Sequence, residues 1–283
     1  SYIPLNLCYC FERRMLPSRS DSAVYYFTKP KIWLKKGWSV KEPKLVIGYP
    51  GIGLIGELVV RFLVRFTNAK KVGFITSPFF SNQVVVDKYG NAKLVGVALF
   101  IKNRDEGDLL FALGQKHQEV MGGELETTEI LLKLFKKLGG KFVYSVGGHL
   151  SLENNGVPVW GIASEPDVAN MLKEKGITLA PAGTPIVGGA GIALGLCNFF
   201  GLKGIGLLGL TRSEKPDFAT SKAILEKLSS LLNLSVEYSL LEAEEAKWNK
   251  MEEKYREELN KVKLDKALSL LFKKEYKRPE YLG

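Results

Sequence analysis

Cysteine, histidine and glutamine are scarce in this 283-residue chain. The cysteines are Cys8, Cys10 and Cys197. Cys8 and Cys10 stand one residue apart, too close for an ordinary intrachain bridge and wrongly spaced for a Cys-x-x-Cys redox pair. Cys197 sits among small and apolar residues and reads as core. A disulfide framework is therefore excluded, and a reducing, cytoplasmic setting is expected. Two histidines, His117 and His149, supply little for a His/Cys metal centre, so neither metal nor cofactor is expected. Glutamine occurs only at 83, 115 and 118 while Lys and Glu are abundant, a balance that leans toward a thermophile.

Long unbroken apolar runs are also missing. Ile186 to Leu210 is interrupted by glycines, Asn198 and Lys203, and reads as a buried helix followed by a strand, not a membrane span. The opening Ser1-Tyr2-Ile3-Pro4-Leu5-Asn6-Leu7 has neither the basic start nor the apolar centre of a secretory signal. There is no Gly-Lys-Ser/Thr, which excludes a P-loop, and no Gly-x-Ser-x-Gly nucleophile elbow.

Positive charge is in surplus. The formal net charge is +10, and residues 1–44 carry nine lysines and arginines against Glu12, Asp21 and Glu42. A basic arm of this kind suits nucleic acid or an acidic protein face, but it lacks the aromatic-basic motifs of a nucleic-acid fold. Solubility and charge repulsion are the simpler reading, and nucleic-acid binding is not expected.

Four glycines from Gly48 to Gly56 carry the strongest signal. Leu45-Val46-Ile47 enters Gly48-Tyr49-Pro50-Gly51-Ile52-Gly53-Leu54-Ile55-Gly56, and an amphipathic helix leaves it. Gly51-x-Gly53-x-x-Gly56 matches the dinucleotide fingerprint, whose amides would face a pyrophosphate at the helix N-terminus. The acidic residue that should follow the next strand, Val72 to Thr76, is absent, since Asp87 comes too late. Structural glycine, allowing a sharp turn and close helix–sheet contact, is the favoured reading.

The rest of the chain alternates strands with helices. Residues 1–43 read as an irregular basic segment whose aromatic patches, Val24 to Phe27 and Ile32 to Leu34, either lie on the domain surface or form edge strands. The core domain spans 44–240. Its predicted elements are strand 44–49, helix 54–67, strand 71–76, a hairpin over 84–101 turning at Tyr89-Gly90-Asn91, and strand 109–114. Helix 120–138 follows, ending at Gly139-Gly140, then strand 142–146, strand 160–163 and helix 167–175. Ser164 is the expected cap of that last helix, with Pro166 in its first turn. Helix 189–199, strand 204–210 and helix 217–232 complete the domain. Helices between apolar strands imply an α/β sheet covered on both faces.

Residues 241–272 form a charged helical extension, followed by a flexible basic tail at 273–283. Leu241, Trp248, Met251, Tyr255, Leu259 and Val262 recur on one helical face, and Glu252/Arg256 and Glu257/Lys261 are favourable i,i+4 pairs. The face either packs on its own domain or protrudes to self-associate or dock a partner.

The motif Gly48-Tyr49-Pro50-Gly51-Ile52-Gly53 resembles the opening of the proteasome assembly chaperone family, of the type found in many archaeal homologues. Gly188-Gly189-Ala190-Gly191-Ile192-Ala193-Leu194-Gly195 and Gly147-Gly148-His149 agree with that family in order and spacing. The resemblance implies a three-layer fold similar to purine nucleoside phosphorylases and a non-enzymatic chaperone or adaptor. It also implies homo-oligomers and protein partners such as proteasome subunits or another assembly factor. The helical face of Trp248, Met251, Tyr255 and Leu259, read from its spacing, and the terminal Tyr281 and Leu282 are the expected partner-binding residues. The family's C-terminal hydrophobic-Tyr-any signature is displaced here, with Tyr281 third from the end. The alternative is a phosphorylase-like enzyme or ligand sensor. It would use the loops after Ile47, Val146, Ala163 and Leu210, with His149, Glu165, Asn154, Asn155 and Thr211-Arg212-Ser213 as candidate residues.

Overall fold

Lys31-Ile32-Trp33-Leu34-Lys35 alternates as a half-buried strand should, and Ile32 and Leu34 both point into the core. This computed structural model describes residues 2–4, 29–80, 83–115, 123–151, 158–212 and 215–275. In chain order the strands begin with β1 (Tyr2–Pro4), β2 (Lys31–Lys35), β3 (Lys44–Gly48) and β4 (Lys70–Thr76). β5 (Val84–Val86), β6 (Ala92–Leu94), β7 (Val97–Lys102) and β8 (Leu109–Gly114) follow, then β9 (Phe142–Leu150), β10 (Val159–Ala163) and β11 (Lys203–Thr211). The helices are α1 (Ile55–Phe66), α2 (Gly123–Lys137), α3 (Pro166–Glu174), α4 (Gly189–Phe200), α5 (Phe218–Leu232) and α6 (Ser239–Glu275).

One nine-stranded sheet runs in the order β1-β2-β4-β7-β8-β3-β9-β11-β10. β8, β3, β9 and β11 are parallel neighbours, while β10 at one edge and β1, β2, β4 and β7 on the other side pair antiparallel. The parallel strands read as continuous apolar runs because helices cover both their faces. Adjacent glycines of β9 mark the two layers. A Cβ on Gly147 would meet Ala190 of α4, and one on Gly148 would meet Ile52 and Ile55 at the start of α1. Successive strand residues face opposite ways, so α4 and α1 lie on opposite sides. α2 packs beside α4, and α5 beside α1.

Three expectations are corrected. Residues 1–43 are not wholly irregular, because β2 pairs in register with β4, Ile32 opposite Ile75. The 84–101 run is not one hairpin. β5 and β6 pair only with each other, with Asp87 Oδ1 accepting from the Tyr89 and Asn91 amides at the turn, and β7 joins the main sheet. Gly96 makes the break, since a Cβ there would lie 2.2 Å from the Ile75 carbonyl oxygen. Ser164 does not cap α3. Its hydroxyl accepts from the Gly204 amide at 2.8 Å, and Glu165 occupies the cap position without a side-chain bond.

Other helix ends follow sequence chemistry. Asp217 caps α5, accepting from the Thr220 amide at 2.9 Å, and Asn233 closes it in the left-handed conformation. Gly139, at φ +79°, closes α2. Asp108 is buried yet satisfied, accepting from the Lys41 amide at 2.7 Å and the Arg104 amide at 2.9 Å. The chain divides into two units, Ser1–Val236 and Glu237–Gly283, the second built on α6.

Cys197 is fully buried on the sheet side of α4, and burial pushes its thiol up to about 12. Thiolate is the reactive form, so native Cys197 is expected to be alkylated at pH 8 at least about a thousandfold more slowly than a free thiol. Mass mapping of the Cys197 peptide after timed iodoacetamide exposure, with and without denaturant, checks this. Equal rates would contradict the burial.

Candidate functional site

The glycine loop starts where β3 ends short of its neighbour. Gly48 pairs with Val146, but β9 continues to Leu150 alongside β11. The chain crosses that ledge through Tyr49-Pro50-Gly51 and a 3₁₀ turn, Ile52–Leu54, before entering α1. Leu54 takes a left-handed conformation at φ 49°, and Gly53 does so at φ 64°. The crossing is held by hydrogen bonds from the Leu54 amide to the Gly51 carbonyl and from the Asp217 amide to the Gly53 carbonyl.

Backbone meets backbone here. A Cβ on Gly48 would sit 2.0 Å from the Gly56 oxygen, one on Gly56 would sit 2.6 Å from the Val146 oxygen, and one on Gly148 would sit 2.1 Å from the Ile52 oxygen. These three glycine hydrogens are turned on the sheet and the helix start, not outward to a ligand. Gly51, first glycine of the fingerprint, has extended φ and open space around it. In the first turn of α1, where a bound anion would seek positive dipole, stands Glu57, paired with Arg61.

Tyr49 turns to the other face. Its ring occupies the space left by Gly114 and Gly189, and its hydroxyl lies 3.4 Å from Thr128 Oγ1 on α2. Burial pushes that hydroxyl up to about 12, so it stays protonated at neutral pH and cannot serve as a base. Ser145 donates to the Ala190 carbonyl at 3.0 Å, tying the start of α4 to β9. The Gly-aromatic-Pro-Gly segment and the small-residue helix are thus two halves of one packing unit.

The enzyme candidates do not converge. His149 lies against Trp160, ring centroids 5.4 Å apart. It pairs with Leu210 near the end of β11, whereas Glu165 follows Ala163, which pairs with Ile205 near that strand's start. Five register positions separate those partners, roughly 16 Å at strand rise. No loop follows Val146, since β9 runs to Leu150 and holds His149 inside the strand. The loop after Ala163 lies at the opposite end of the sheet from those that follow Gly48, Leu150 and Thr211, because β10 runs antiparallel. Glu165 instead joins Asp167 beside Lys203, whose ammonium holds the Asp167 carboxyl below its usual range. Asn154, Asn155 and Ser213 lie outside the described residues, as do Tyr281 and Leu282.

The α6 face is present as a helical stripe. Met251, Tyr255 and Leu259 are exposed, Tyr255 by 63%, and Trp248 is half-buried. Arg256 reaches Glu252 at 3.6 Å, the expected i,i+4 pair. Two exposed residues escaped the sequence reading: Val187 and Phe199, which flank and end α4. Among the described residues, no helix is long and apolar enough to cross a membrane.

The chain belongs to the PAC2 family, whose model matches residues 45–256, from the strand before the glycine loop into α6. An uncharacterized protein of Methanocaldococcus jannaschii is 31% identical over 199 residues, covering 70% of this chain and 77% of that protein. Among solved structures, the chain is similar to Pyrococcus furiosus PbaB, described as an archaeal proteasome activator. The TM-score is 0.73 at 25% identity, over 81% of this chain and 99% of that one. Pyrococcus furiosus PbaA, described as an archaeal homolog of proteasome-assembly chaperone, shares the fold, with a TM-score of 0.67 at 21% identity over 83% and 99% of the two chains. The mixed α/β architecture, a large sheet flanked by helices with a helical C-terminal part, is that of these proteins.

Proposed function

We propose that this protein is a non-enzymatic, cytoplasmic assembly chaperone or adaptor that works as a homo-oligomer and binds proteasome subunits or a related assembly factor. Membership of the PAC2 family and the descriptions of PbaB and PbaA support this reading. The observation that carries the mode of binding is the exposed stripe of Met251, Tyr255 and Leu259 on α6, continued toward Trp248. An amphipathic helix docks by laying such i, i+4, i+8 anchors into an apolar groove, and large aromatic anchors dominate the energy. Glu and Lys around the stripe keep the helix in solution until a partner covers it. Tyr281 and Leu282 are a second contact in the same proposal.

The test is binding of the full chain to purified archaeal proteasome α-subunits by biolayer interferometry. The Trp248→Ala/Tyr255→Ala chain is expected to lose at least tenfold in affinity, and a chain ending at Val236 to lose detectable binding. Undiminished binding by both would overturn the α6 assignment, and no binding by the wild type would overturn the choice of partner.

A further inference from the structure

α4 carries no charge on either side. Gly189, Ala193, Leu194 and Cys197 are buried, while Gly195, Asn198 and Phe199 stand on the outer surface. Phe199 is 84% exposed and Val187 is 88% exposed. No charged residue occurs from Ala180 to Leu202 in a chain one quarter charged. Leu125, at the start of α2, is also exposed. Large apolar side chains exposed on a helix that carries no charge of its own mark a candidate interaction surface.

Charge on the neighbouring helix indicates what covers it. α2 and α4 run side by side in the same direction, with Glu124 near Gly188 at one end and Lys136 donating to the Phe200 carbonyl at the other. α2 is acidic at its start, with Glu124, Glu126 and Glu129, and basic at its end, with Lys133, Lys136 and Lys137. α2 is therefore polarised along its length, while α4 beside it carries no charged residue. An antiparallel copy of the same layer sets acidic start against basic end twice over, whereas a parallel copy sets like on like. α4 also carries its own knob and hole. Phe199 projects one turn beyond Gly195, where an added Cβ would find nothing within 4 Å.

We propose that a second copy of this chain packs on this face, α4 against α4, antiparallel about a twofold axis, with Phe199 of each copy seated on Gly195 of the other. Such an isologous contact needs a self-complementary patch, which this one is in shape and in charge. The inference rests on the homo-oligomer reading above and names its surface.

The experiment is sedimentation equilibrium of the full chain. Wild type is expected at two copies or an even multiple. Phe199→Glu is expected to halve that mass or to raise the dissociation constant at least tenfold with unchanged circular dichroism. Lys136→Glu/Lys137→Glu is expected to weaken association, and adding Glu126→Lys/Glu129→Lys to the same chain to restore it. A monomeric wild type at 100 µM (roughly the weak limit for a specific dimer) would overturn both this inference and the homo-oligomer reading. An oligomer that survives Phe199→Glu and the charge reversal, or that falls apart only when α6 is removed, would overturn this inference alone.

Discussion

Gly48→Ala is expected to lower stability by at least about 3 kcal/mol, enough to bring the thermal midpoint down by roughly 6–12 °C in a domain of this size. The added methyl would lie 2.0 Å from the Gly56 carbonyl oxygen and 2.6 Å from Val60 Cγ2. The nearer atom is backbone, held in α1, and cannot swing aside as a long side chain would. Either β3 or α1 must move, and both are packed on β9. With total stability of about 5–15 kcal/mol, the loss takes a large share. Gly51→Ala is the matched control. Its backbone is extended and nothing lies within 4 Å, so a change within about 0.5 kcal/mol is expected. Thermal unfolding of the two variants followed by circular dichroism decides the matter. Equal melting of Gly48→Ala and wild type would refute the backbone-contact account. A large loss in Gly51→Ala would show that the first fingerprint glycine has a role beyond geometry.

Removal of residues 1–43 has a comparable consequence, although composition marks that segment as an appendage. Ile32 and Leu34 are core residues, and losing a buried Ile or Leu side chain costs about 2–5 kcal/mol. Loss of β2 also strips the hydrogen-bond partner from one side of β4, leaving an unpaired edge beside Ile75. A chain starting at Lys44 is expected to aggregate or to melt more than 10 °C below full length, by the same scaling. A chain starting at Lys29 keeps β2 and is expected to unfold cooperatively. Soluble expression and a melting curve for each test this, and a stable chain from Lys44 would return β2 to the status of an ornament.

Sequence periodicity was sufficient to place β3, α1, α2, β9, β11 and α5, although β9 runs on through Gly147-Gly148-His149 to Leu150, beyond the expected 142–146. It failed where a partner distant in the chain decides. Lys31-Ile32-Trp33-Leu34-Lys35, expected at the surface or an edge, is an inner strand because β1 and β4 pair with it on either side. The valines of β5 and β7 look alike along the chain, but β5 is exposed and β7 is buried. Gly96 separates them because of a carbonyl on β4, which no local pattern encodes. Ser164 has the chemistry of a cap, but a strand amide takes its hydroxyl. At the candidate site, the α6 stripe was legible from spacing because a solvated helix keeps its period. The outward face of α4 was not. A helix apolar all round reads as buried, and Phe199 looks like core until the exposed side is known.

The place of β3 inside the parallel part of the sheet has a consequence for synthesis. Its two neighbours, β8 and β9, lie about 60 and 100 residues further along the chain. At roughly 5–20 residues per second, the ribosome needs about 5–20 s after making Gly48 to complete the second of them. Until β8 is made Leu45-Val46-Ile47 has no ladder to join, its second partner comes later still, and closing such long loops is among the slower steps available to a folding chain. An inner strand of the parallel part of the sheet is thus made early and placed late.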